Sequence, residues 1–227
     1  SYKSLTIAAA GTYTATSAAT TITGETGGGY AIFNTANGTF THSSGSVNIA
    51  TAGNNNTLIF GMEGDDVSGT GANAFNNLSV TLTTGYRLEL DPAAGTAHVI
   101  KGDLTIVEGL LYPDDHAHTL TVEGDVSVES GGTLGHASRT GAMSFGSLTI
   151  ASGATAVAVH ASGVFTHNKG LVKTTAGSAD VAILSQTTTN NPFWDFEAVD
   201  YGIDVGGRWV VLNNMTLGNG FQFNSSG

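Results

Sequence analysis

Cysteine is absent from the 227 residues, which excludes disulfides, thiolate metal centres and cysteine nucleophiles together. Basic residues are scarce, with seven Lys plus Arg against 18 Asp plus Glu and a formal net charge of −11. A chain of that charge is repelled by nucleic acid and by anionic membrane surfaces, so neither is expected as a partner. Divalent cations and neutral glycans remain compatible with it. Charged residues make up only 11%, against roughly 25% in ordinary globular domains. No apolar run is long enough to cross a bilayer, so no membrane span is expected. No signal peptide is visible at Ser1. The chain enters a strand-like KSLTIA almost at once and closes on GFQFNSSG, and both ends are expected to be cut from something longer or processed. The motifs G-x-S-x-G, H-E-x-x-H, G-x-G-x-x-G and the P-loop are all missing.

What is present is glycine, 32 residues of it, together with abundant Thr, Ser, Ala and Asn. That composition suits many short strands joined by tight turns, and it lacks the Glu, Lys, Leu and Arg that favour helices. The pattern is clearest from Gly102 to Gly153, where the chain reads GDLTIVEG, GDVSVESG and GSLTIASG. The three segments open at Gly102, Gly124 and Gly146, so the same step is taken twice. In each, two apolar residues flank a small polar one: Leu104 and Ile106, Val126 and Val128, Leu148 and Ile150. Alternation of period two between glycines marks a short strand with one buried face. A fixed step of this size marks a solenoid in which each repeat is one turn of the coil. The spacing predicts one inward ladder of Leu104, Val126 and Leu148, and a second of Ile106, Val128 and Ile150.

The same strand type recurs along the chain. KSLTIA (3–8) places Leu5 and Ile7 inward, and GSVNIATAG (45–53) does so with Val47 and Ile49. The interval from Leu5 to Val47 is read as two coils. NNLSVTL (76–82), YRLEL (86–90) and TLTVEG (119–124) are further strands. GTFTHSSGSVNIATAG (38–53) is echoed by GVFTHNKGLVKTTAG (163–177), which aligns Phe40 with Phe165 and His42 with His167. The expected fold is all-β, a single-domain parallel β-helix (β-solenoid) over residues 1–227 with about 22 residues per coil and roughly nine or ten coils. Regular coils are expected over about 100–170, and an irregular aromatic-rich segment over 190–211.

Candidate sites are few. Asp114, Asp115, His116 and His118 form the densest cluster of divalent-ion ligands, and His136 follows Asp114 by the same step, one coil along. The competing reading is a solvated corner loop. Glu63, Asp65 and Asp66 offer oxygen ligands without the spacing of an EF-hand or a calcium β-roll, so an acidic turn is the plainer reading. Beyond such a divalent cation, no cofactor is expected. Trp194, Phe196, Tyr201 and Trp209, with Phe193 and the acids Asp195, Glu197, Asp200 and Asp204, suit sugar stacking or contact with a partner chain. They equally suit the core of an irregular coil. No catalytic residue is assigned, because the basic groups are scattered and no pair of carboxylates with a defined separation is marked. The chain is therefore read as a non-enzyme.

The G-D-L-T-I and G-D-V-S-V segments, the NNL strand starts and the Gly/Thr-rich turns resemble the β-solenoid regions of phage tail fibres and other virion appendages. They are similar, too, to repeat regions of large bacterial surface adhesins. The resemblance implies a structural or adhesive element of an extracellular or virion-surface fibre. Its implied partners are other copies, neighbouring domains of the fibre, or a cell-surface glycan. A bacterial adhesin or surface-filament domain is the alternative, and a polysaccharide-degrading β-helix enzyme a further one.

Overall fold

The computed structural model describes residues 1–8, 10–25, 30–34, 38–50, 57–62, 74–83, 86–90, 97–112, 118–135, 145–150, 155–159, 164–165, 171–174, 181–185, 191–199, 202–206, 209–218 and 222–224. Among these residues there is no helix; the chain is a β-solenoid of short strands. The strands come in a cyclic order. β1 (Leu5–Ile7), β2 (Thr12–Thr14) and β3 (Thr20–Ile22) begin three separate ladders. β4 (Tyr30–Asn34), β5 (Thr39–Thr41) and β6 (Ser46–Ile49) pair in parallel with β1, β2 and β3 respectively. β7 (Thr57–Met62) continues the first ladder and β8 (Asn77–Thr81) the third. β9 (Arg87–Leu90) follows β7, and β10 (Ala97–Ile100) opens the long run of the middle ladder.

β11 (Leu104–Tyr112) shows how one turn passes to the next face. Its first half pairs with β8 and its second half with β9, with a register shift between Ile106 and Glu108. Gly109 lies in the left-handed region at this bend (φ 87°), which a side chain would oppose. β12 (His118–Val122) follows β10, and β13 (Val126–Leu134) repeats the bent path of β11. Beyond it come β14 (Phe145–Ile150), β15 (Thr155–Val159), β16 (Val164–Phe165), β17 (Leu171–Thr174), β18 (Val181–Ser185), β19 (Asn191–Ala198), β20 (Gly202–Gly206), β21 (Trp209–Leu217) and β22 (Gln222–Asn224). One ladder runs β10-β12-β14-β17-β19-β21, and β13, β15, β18, β20 and β22 continue another.

The interior is a set of in-register apolar columns. Val47, Leu78, Leu104 and Val126 occupy one, and Ile22, Ile49, Val80, Ile106 and Val128 the next; all are buried. Branched aliphatic side chains suit such a pleated, enclosed surface. Tyr13, Phe40 and Phe75 continue an aromatic column, with ring centroids 5.7 and 5.3 Å apart.

The regular step holds at Leu104↔Val126 and Ile106↔Val128. It does not continue to Leu148 and Ile150. Val126 pairs with Val157, a longer step, whereas Leu148 pairs with Leu120 and Val172 in the middle ladder. Repeating the first step from Gly124 falls short of a full turn and lands on the preceding face. Leu5 and Val47 are likewise on different ladders: Leu5 pairs with Ile32, and Val47 with Thr20 and Leu78.

The Gly-Asp pair of the motif has a specific cause. Asp103 N–H donates to Asn77 Oδ1 (2.9 Å), and Asp125 N–H donates to Asp103 Oδ1 (3.0 Å). Each side-chain oxygen thus reaches one turn along and occupies the space beside the residue that precedes its partner. A Cβ on Gly102 would lie 2.0 Å from Asn77 Oδ1, and one on Gly124 2.3 Å from Asp103 Oδ1. Glycine is therefore required before the aspartate, and the aspartate satisfies a corner N–H that neither strand ladder uses.

Candidate functional site

The acidic and histidine cluster predicted as a metal site falls largely outside the described residues: Asp114, Asp115, His116 and His136 are all there, as are Glu63, Asp65 and Asp66. His118 opens β12, with its backbone paired to Phe145 of β14. Among the described residues, no group of three or more His, Asp or Glu is placed to hold a metal ion.

The aromatic segment divides between core and surface. Phe193 and Phe196 are 2% and 3% exposed, and their rings stack at 5.0 Å with an interplanar angle of 18°. Phe196 faces the interior in line with buried Val172, so its ring has no face free for a sugar. Trp194 is half-buried at the register shift between Phe193 and Asp195. Trp209 begins β21, paired with Asn191, and Tyr201 lies outside the described residues. Two of the acids expected to hold sugar hydroxyls already have protein partners. Asp195 Oδ1 accepts the Asn214 N–H at 3.0 Å and Asn213 Nδ2 at 2.8 Å, while Glu197 Oε1 is 2.9 Å from Lys173 Nζ. Asp204 lies on β20 and Asp200 outside the described residues.

A second surface is built by register alone. Thr21, Asn48, Ser79, Thr105 and Ser127 pair in succession along one ladder, between the buried columns. All five are half-buried and none is charged. Their outward column carries hydroxyl and amide groups repeated at the strand spacing of about 4.8 Å.

A third cluster, which sequence reasoning missed, lies at the corner after β5. His42 Nδ1 accepts the Ser44 N–H at 3.0 Å, and the His42 carbonyl accepts the Gly45 N–H at 3.0 Å. Asn76 Nδ2, one turn along, donates to the Ser44 carbonyl at 3.0 Å. Ser43 and Ser44 both sit in the left-handed region, at φ 47° and 60°. Partial burial, and secondly the charge of Lys101, hold His42 below the ordinary histidine value of 6.5. Lys101 is itself paired with Glu123 at 2.7 Å. The signal in the sequence is the Thr-His-x-x-Gly echo at 41–45 and 166–170.

No family model, curated protein or solved structure matches the chain. No helix among the described residues is long and apolar enough to cross a membrane.

Proposed function

We propose that the chain is a structural and adhesive element of an extracellular or virion-surface fibre, one domain of parallel β-helix with a base step of about 22 residues and roughly nine or ten turns. The observation that carries this reading is the parallel ladder that runs through β3, β6, β8, β11, β13, β15, β18, β20 and β22. Such a ladder makes a stiff rod whose length grows by one strand spacing per turn, which is the property a spacer or fibre needs. A second feature agrees with it. Met215 and Leu217 hold the register positions of buried Phe196 and Ala198, yet they are 45% and 39% exposed, on a strand at the edge of its ladder. An apolar edge of this kind is suited to contact with a further domain or copy in a fibre.

Immunogold labelling of intact particles and cells from the source organism tests the proposal. Label on surface fibres or filaments is the expected result. Label confined to the cell interior overturns it.

A further inference from the structure

The corner at His42 has the parts of a switch. Two consecutive non-glycine residues in the left-handed region are costly and persist only where neighbours hold them. Here the holding contacts are few and identifiable: His42 Nδ1 on the Ser44 N–H, the His42 carbonyl on the Gly45 N–H, and Asn76 on the Ser44 carbonyl. Only the first depends on a group that titrates near neutrality. Nδ1 accepts, so the neutral ring carries its proton on Nε2. A proton taken from solvent at Nδ1 turns that acceptor into a donor facing another donor. It also places a positive charge near Lys101, whose own partner is Glu123. Among the described residues, Lys101 is the charged group that bears on the ring; Ser44 and Asn76 are neutral.

We propose that the His42 corner is an acid-sensitive latch: the neutral imidazole holds the turn 42–45 in its strained form, and protonation releases Ser43 and Ser44 and breaks the tie to Asn76 in the next turn. The consequence is a local rearrangement of one corner of the rod in mildly acidic surroundings, with the strand ladders on either side kept. It is independent of the fibre reading, because the latch needs only this corner.

Nitrogen-detected NMR of the full chain tests it. At neutral pH, His42 is expected as the Nε2–H tautomer. On acidification the Ser44 amide should shift with the same midpoint as the His42 ring, below 6.5. Its exchange, normalised to the intrinsic rate at each pH, should rise by about tenfold or more. His42→Asn supplies a non-titrating oxygen at the place of Nδ1, as in an Asx turn, and should keep the latch closed at every pH. His42→Ala should open it at every pH. Lys101→Met should raise the His42 midpoint. An Nδ1–H tautomer at neutral pH, or a Ser44 amide that ignores the ring's titration, overturns the proposal. Should His42→Ala unfold the chain, the wild-type titration and His42→Asn still decide.

Discussion

Asp103 Oδ1 accepts the backbone N–H of Asp125 at 3.0 Å, one turn along the solenoid. Asn77 does the same for Asp103 at 2.9 Å, so each corner side chain ties its own turn to the next. Asp103→Ala leaves the Asp125 N–H to water and removes one charge-assisted bond. The expected cost is about 1 kcal/mol, with Asp103→Asn recovering most of it. Urea denaturation reads both; no loss in either variant would show that the bond to Asp125 contributes nothing.

The glycines at these corners make a sharper prediction, because their neighbours differ. A Cβ on Gly102 meets chiefly the Asn77 side chain, at 2.0 Å from Oδ1 with the backbone at 3.0 Å. A Cβ on Gly124 meets Asp103 Oδ1 at 2.3 Å and also the backbone carbon and oxygen of Gly102 at 2.5 and 2.6 Å. Gly102→Ala should therefore be rescued by about 1 kcal/mol or more when Asn77→Ala is added. Gly124→Ala should stay severely destabilised even with Asp103→Ala. A double-mutant cycle at each corner measures the coupling, and equal rescue at both would refute the backbone clash at Gly124.

Much of this fold is legible from alternation alone. Leu104, Ile106, Val126 and Val128 stack as their spacing implies, and Val47, Ile49, Leu78 and Val80 are inward as their alternation implies. What alternation cannot specify is the face. The strand GSLTI has the same pattern whichever ladder it joins, so once the turn lengthens between Val126 and Val157 an even step leaves Leu148 one face short. The extra length falls between the described strands, and the length of a connection leaves no mark on the strands it separates. The His42 corner is hidden for a related reason: its chemistry depends on Asn76 from the next turn, and on a turn conformation that a Ser-Ser pair does not announce.

In the aromatic segment, burial separates two neighbours. Phe196→Ala empties a position 3% exposed and stacked on Phe193, and a cost of about 3–5 kcal/mol is expected. Trp194→Ala, at a half-buried site on the corner, should cost clearly less. Any loss of glycan or partner contact should follow Trp194 and not Phe196. Thermal denaturation alongside a glycan-array or pull-down assay distinguishes the two effects; comparable destabilisation by both variants would place Trp194 in the core as well.

The pH dependence of stability follows from His42 with a definite sign. Its ring titrates below 6.5 in the folded chain, through partial burial first and the charge of Lys101 second. In the unfolded chain it titrates at the ordinary value. Between those two points the unfolded state binds more protons, so stability rises with pH through the window and falls on acidification. Below both points the folded ring is protonated too, and the contribution stays constant. His42→Asn removes this titration while keeping an acceptor for the Ser44 N–H. The urea midpoint of the wild type should therefore drop more than that of His42→Asn between about pH 7.5 and about pH 5, the carboxylates contributing alike to both chains. Parallel profiles would mean that His42 titrates identically folded and unfolded, and that the corner bond at Nδ1 does not distinguish the two states.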